Sequence, residues 1–212
     1  MHILHLDSSI QGPASASRAL TKALVAHLLK AEPKAQVIYH DLVEEAVPHL
    51  DGPIGAGFRP LAFGEFDETT PREHARSDAL VGELLASDVL VIGAPMYNFS
   101  VASQLKAWID RVMQPGKTFR YTETGPIGLA GGKKVVVVST RGGSYLSGPL
   151  APLDFQEGYL KAAFGFMGIK DVAFLRAENM SRGEQAQKTS IELAHAAVAA
   201  TALSVLAGPR VA

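Results

Sequence analysis

The chain has 212 residues, 47% of them hydrophobic and 19% charged, with a formal net charge of −1 and no cysteine. That length and balance suit one globular domain with a sizeable core. The lack of cysteine excludes disulfides, thiolate metal sites, Fe–S clusters and cysteine nucleophiles, and the near-neutral charge gives no reason to expect a nucleic acid or a membrane surface as partner. Met1 to Leu6 lacks the basic and long apolar regions of a signal peptide, and no apolar run is expected to be long enough to span a membrane; the alanine-rich tail, Ala194 to Leu206, comes closest and reads as a packed terminal helix. A cytoplasmic location is expected.

Ile3 to Leu6 reads as a first strand. A hydroxyl-rich loop follows, Asp7 to Ser17, and then a helix carrying Leu20, Leu24 and Leu28 on one stripe, stopped at Glu32-Pro33. Gln36 to His40 makes a second strand. Residues 44–69 show no period and hold Pro48, Gly52, Pro53, Gly55, Gly57, Pro60 and Gly64. An irregular connection that long suggests a lid, an interface or a binding loop. Thr70, Pro71 and Glu73 spell an N-cap, a first helical residue and a capping box for a helix through Leu80, Leu84 and Leu85.

Val89 to Ile92 is an apolar run of the kind buried on both faces of a sheet. Ala94 to Ser100 follows, and then a helix with Val101, Leu105, Trp108, Ile109 and Val112 at helical spacing; Asp110 is expected to face solvent or pair locally. Gln114-Pro115-Gly116 stops it, and residues 116–129 look like a hairpin excursion. Val135 to Val138 is a fourth strand, followed by Ser139 to Tyr145. Asp154 is placed to cap the next helix, which Gly168 ends. Asp171 to Leu175 forms a fifth strand, and a last helix runs roughly over 184–206 before Gly208-Pro209.

Strands and helices alternate, which predicts an α/β fold with a parallel sheet and helices on both faces. With strand order 2-1-3-4-5, the carboxyl ends of strands 1, 3 and 4 bring three loops to one cleft at the topological switch point. The first loop offers Ser9 and the group Ser15, Ala16 and Ser17 ahead of a helix, suited to a phosphate. It has neither a Gly-x-Gly-x-x-Gly fingerprint nor a Walker A lysine, so a monophosphate is expected. The second loop presents Met96, Tyr97, Asn98 and Phe99; the third presents Thr140, Arg141, Gly142 and Gly143, whose glycines admit a flat ligand close to the backbone. A phosphate at one end and a planar ring at the other fit flavin mononucleotide. Arg141 is either a cation beside the ring or a surface arginine. Phe119, Tyr121 and Phe164 are candidate walls for a substrate pocket, Phe164 having core packing as its alternative. No histidine pairs at ligand spacing, so no metal is expected.

Met96-Tyr97-Asn98-Phe99, Leu105-Lys106-x-Trp108-x-Asp110 and Gly116-x-Thr118-Phe119-Arg120-Tyr121-Thr122-Glu123 together resemble the FMN-dependent NADH-azoreductases, which belong with the flavodoxin-like quinone reductases. Ser9, Ser15-x-Ser17 and Arg141-Gly142-Gly143 fall at the matching places, and the likeness covers essentially the whole chain, 1–212, as one domain. Gln114-Pro115 departs from the pattern before the glycine, and Ala102 stands where many relatives have Pro. The resemblance implies a flavodoxin-like three-layer sandwich and a homodimer with one FMN per subunit. It also implies ping-pong hydride transfer from NADH (or NADPH) to quinones and azo compounds. The chemistry would be carried by FMN, with no catalytic side chain assigned. Two rival readings are a flavodoxin-like electron carrier and a flavin-free structural or regulatory protein.

Overall fold

The apolar runs become strands wherever they are long enough to be covered on both sides. In the computed structural model, which describes residues 1–59 and 66–207, the elements run β1 (His2–Asp7), α1 (Ala16–Ala31), β2 (Gln36–Asp41), α2 (Gly52–Ala56), α3 (Thr70–Ala86), β3 (Val89–Pro95), α4 (Ser103–Val112), β4 (Phe119–Thr122), β5 (Gly125–Gly128), β6 (Lys134–Thr140), α5 (Phe155–Phe166), β7 (Asp171–Ala177) and α6 (Glu184–Ala207). Five strands form a parallel sheet in the order β2-β1-β3-β6-β7, which is the expected 2-1-3-4-5 once the separate β4-β5 hairpin is set aside. This is the flavodoxin-like arrangement.

Alternation along the central strands divides the core in two. Leu4, Leu6, Leu90, Ile92, Val135 and Val137 face α3, α4 and α5, together with Trp108 and Phe164. Ile3, Val89, Val91, Val136 and Val138 face α1 and α6. All seven residues of β3 are buried, as a middle strand covered on both faces requires. Gly93 is needed on this strand, because a Cβ there would run into the buried Asp7 carboxylate of β1.

Against the expectation that no run is long enough, helix α6 is long and apolar enough to cross a membrane by length and composition. Its stripe of Ala194, Val198, Ala202 and Val205 is buried against the α1 side of the core.

Two local expectations fail for clear reasons. Thr70 is the first helical residue of α3, not its cap, and the preceding Thr69 makes no side-chain cap. Asp67 takes over: its Oδ1 accepts from the Thr69 and Thr70 N–H groups, at 3.1 and 2.8 Å, and from both hydroxyls. Glu73 turns inward instead of closing a capping box; its Oε2 accepts from the fully buried Arg111 at 3.0 Å. The 44–69 connection contains α2, five residues capped by Asp51, too short to show a period. It is tied down by carbonyls that accept from side chains of α3 and α4: Glu45 from Arg76 at 3.0 Å and Pro48 from Arg111 at 3.2 Å. Pro60 and Gly64 of that connection, and the terminal Gly208-Pro209, lie outside the described residues.

Candidate functional site

Register fixes the site. Asp7 pairs level with Gly93, and Pro95 with Thr140, so the chain leaves β1, β3 and β6 along one sheet edge. In the first loop Ser15 caps α1, its Oγ accepting from the Arg18 N–H at 3.3 Å, and the Ser15 and Ser17 hydroxyls lie 3.0 Å apart. The Ala16 and Ser17 N–H groups have no hydrogen-bond partner among the described residues, the usual state of a helix's first donors. Ser9 is buried, and its carbonyl accepts from Arg18 Nη2 at 2.8 Å. Arg18 is itself held by Asp41, so it braces the loop and is not a free cation. Hydroxyls and open N–H groups at a helix start match a phosphate.

The second loop is a tight reversal. Tyr97 and Ser100 exchange both backbone hydrogen bonds at 3.0 Å, with Asn98 at φ 47° and Phe99 at φ 72° between them. Two consecutive positive φ values are what a primed hairpin turn demands, and glycine or asparagine usually meets that demand; a phenylalanine there is strained. The turn is held from both sides: the Met96 N–H donates to the Thr140 carbonyl at 2.9 Å, and the Phe155 N–H to the Phe99 carbonyl at 3.1 Å. It also touches the first loop, since the Ile10 N–H donates to the Tyr97 hydroxyl at 3.2 Å. The Phe99 ring stays 42% exposed and meets Tyr145 edge-on at 6.4 Å.

A cavity of about 790 Å³ opens on the α4–α5 flank of this turn, lined by Ile10, Met96, Tyr97, Asn98, Val101 and Tyr159 among others. It shares the turn as a wall, but neither Ser9, Ser15 and Ser17 of the first loop nor Gly142 and Gly143 line it. Burial, and secondarily Asp110, push the Tyr159 phenol up to about 12, so it is a neutral hydroxyl at physiological pH. Asp110 itself pairs with Lys106 one turn away, at 2.6 Å.

In the third loop the structure corrects the reading of Arg141. It is not a surface residue. Its side chain is fully buried behind the turn, 3.0 Å from Asp154, 2.6 Å from Glu157 and 3.4 Å from Glu178. Burial favours the neutral form of Glu157, but Arg176, Arg141 and Lys161 outweigh it and hold the carboxyl below its ordinary value. Ser139, one residue from the strand's end, accepts from Arg141 Nε and donates to Gln156, which in turn donates to the Ala94 carbonyl. The network thus ties β3, β6 and α5 together. The Gly142 and Gly143 N–H groups, by contrast, have no hydrogen-bond partner among the described residues. They can serve a carbonyl or an anionic ring edge as donors. Thr140 is half-buried at the start of the same turn.

Of the three candidate wall residues, Tyr121 is 73% exposed on the hairpin and Phe119 is buried beneath it, packed edge-on against both Tyr121 and Phe166. Phe164 is a core side chain with no exposed surface, beside Leu160 and Met167, and does not reach the cleft. Among the described residues no group of three or more His, Asp or Glu side chains could hold a metal ion.

Sequence and structure comparisons agree with this arrangement. A model of the flavodoxin-like fold matches residues 1–202. An FMN-dependent NADH:quinone oxidoreductase of Ralstonia nicotianae is 65% identical over 93% of this chain and 95% of its own length. A second relative of that name, from Xanthomonas axonopodis pv. citri, is 54% identical over 98% of this chain and 96% of its own. The crystal structure of an azoreductase from Bacillus anthracis superposes with a TM-score of 0.86 at 25% identity, covering 96% of this chain and 99% of that one. With level strand ends, a serine loop and a glycine turn facing one cleft, and such relatives over nearly its whole length, the chain belongs to the flavodoxin-like family of FMN-dependent NADH:quinone oxidoreductases.

Proposed function

We infer that the protein is an FMN-dependent NADH:quinone oxidoreductase that also cleaves aromatic azo compounds, acting as a single-domain subunit of a cytoplasmic homodimer. The observation that carries this reading is the pair of open donor sets on one edge. The Ala16 and Ser17 N–H groups lie at one end and the Gly142 and Gly143 N–H groups at the other, with the Met96–Phe99 turn between them. Ser9, Ser15, Ala16 and Ser17 would hold the phosphate; Met96 to Phe99, Thr140, Gly142 and Gly143 would hold the ribityl chain and ring. Held by these residues, FMN would supply hydride acceptance from a reduced nicotinamide and two-electron transfer to the acceptor.

The chain's own part is to bind, orient and exclude water. The turn at 97–100 sets the plane on which a flat donor or acceptor must lie, a positioning task worth several orders of magnitude in rate. The glycine N–H groups stabilise negative charge on the edge they face. NADH is the expected donor, as in the relatives' names, with NADPH to be tested beside it. The electron-carrier reading is set aside: the relatives are named as oxidoreductases, and a net charge of −1 offers little of the acidic field with which carriers steer to partners.

Exposed apolar side chains at the rim support the homodimer. Ile10, Phe99, Leu146 and Phe155 are between 42% and 61% exposed, and apolar surface gathered beside a cleft marks an interaction site. Helix α6 is read as the packed edge of the α1 layer and not as a membrane anchor.

The test is direct. Purified protein should be yellow. NADH should bleach its visible bands without oxygen, a quinone should restore them, and light scattering should give twice the 22.5 kDa chain mass. Bound flavin that stays oxidised under excess NADH and NADPH refutes the enzyme reading; a monomer refutes the homodimer.

A further inference from the structure

Residues 178–181, between β7 and α6, form a backing to the Arg-Gly-Gly turn. The carbonyls of Arg141, Gly142 and Gly143 accept in succession from the N–H groups of Met180, Ser181 and Asn179, at 2.9, 3.0 and 3.0 Å. A trans peptide points its C=O and N–H in opposite directions. With each carbonyl drawn toward 179–181, the N–H groups of Gly142 and Gly143 are turned away from it, toward the cleft. Asn179 adopts φ 61° to make this backing.

Glu178 then fixes the rest of the loop. Its Oε1 accepts from the Tyr145 N–H at 2.7 Å, the Leu146 N–H at 3.0 Å and Arg141 Nη1 at 3.4 Å, and its Oε2 accepts from the Ser144 hydroxyl at 3.2 Å. One carboxylate therefore holds three consecutive residues downstream of the glycines and the guanidinium beneath them. It also completes a balance of charge: Asp154, Glu157 and Glu178 face Arg141, Arg176 and Lys161.

We propose that Glu178 is a positioning residue for the flavin ring: it aims the Gly142 and Gly143 donors and cancels the positive charge of Arg141 behind them. The inference rests on the flavin reading of the site. Two consequences separate its two duties. Removing the carboxylate altogether frees the loop and weakens FMN binding. Replacing it with an amide keeps an acceptor for the two N–H groups but leaves one uncompensated positive charge behind the ring, which favours the reduced, more anionic flavin.

The experiment uses wild type, Glu178→Ala and Glu178→Gln. FMN affinity is measured by titrating apo-protein and following flavin fluorescence; the two-electron midpoint potential is measured by spectroelectrochemistry on the holoprotein. Glu178→Ala is expected to weaken FMN binding at least tenfold, and Glu178→Gln to restore it to within about threefold of wild type. Glu178→Gln is also expected to raise the midpoint potential, each tenfold preference for the reduced form being about 30 mV in a two-electron couple. If Glu178→Ala does not fold, the Gln variant alone decides. An Ala variant that binds FMN as tightly as wild type, or a Gln variant whose potential does not move, makes Glu178 a plain loop anchor and overturns the inference. Wild-type apo-protein that takes up no FMN refutes instead the flavin reading on which it stands.

Discussion

Replacing Arg141 with Met tests the electrostatic architecture most sharply. The substitution keeps an apolar stem in a site where the side chain has no exposed surface, while Asp154, Glu157 and Glu178 keep only 16%, 10% and 13% of theirs. Arg176 and Lys161 still reach Glu157, but Asp154 and Glu178 lose the guanidinium they share. Stranding one side of a buried ion pair costs about 3–5 kcal/mol, whereas an exposed pair is worth about 1 kcal/mol or less. For a chain of this size, each kcal/mol corresponds to about 2–4 °C, so the melting temperature should fall by roughly 6–20 °C.

The pH dependence gives the sign. Glu157 is held below its ordinary value when folded, so its contribution is present above the unfolded carboxylate pKa and fades as pH falls through the folded one. Without Arg141 one of the charges that hold Glu157 low is gone, so Glu157 protonates more readily in the folded variant, and the gap between wild type and variant should narrow between pH 7.5 and pH 3.5, below the ordinary carboxylate range. Urea titration of both apo-proteins at the two pH values measures it. A cost under about 1 kcal/mol, or the same cost at both pH values, would show that the cluster is not a coupled buried network.

Two further outcomes follow from single residues. His40 has one ring nitrogen 2.7 Å from Glu83 and the other 3.2 Å from Glu45, and Glu83 first, against burial, raises its pKa. The stability it adds is therefore complete below the unfolded histidine value and lost as pH rises through the folded one; denaturant titrations from pH 5.5 to 8.5 should show this slope in wild type and not in His40→Gln. At Gly142 an added Cβ would lie 3.0 Å from Ser181 Oγ, so Gly142→Val should displace the turn and weaken FMN binding at least tenfold while leaving the far-ultraviolet circular dichroism intact; unchanged affinity would remove the turn from the site.

The middle of the sheet was legible because β3 and β6 carry apolar, largely β-branched runs buried on both faces. Helix α5 was legible for a local reason: Asp154 accepts from the Gln156 and Glu157 N–H groups, as its position before the helix suggests. The capping box at 70–73 was misread because two rival partners, Asp67 and Arg111, reach those groups from outside the four-residue window. The surface alternative for Arg141 fails for a related reason. A buried arginine is made tolerable by acids at 154, 157 and 178, and nothing in a local stretch discloses that they converge. Glu178 escaped notice altogether, since its partners lie 32–37 residues back along the chain. The core-packing alternative for Phe164 follows from its place on the helical stripe with Leu160, and the structure puts it there.

The Asn98–Phe99 reversal has one more implication. Glycine would adopt both conformations without penalty and asparagine tolerates them, but a phenylalanine held there costs about 1–3 kcal/mol. The folded chain keeps the turn shut with backbone bonds from Met96, Ser100 and Phe155, which come from two different layers of the molecule. The reversal is thus a sprung latch: its shape is imposed by assembly and not by local preference. A peptide of residues 94–106 taken alone would relax out of it, and the recognition surface exists only once the sheet and α5 have closed around it.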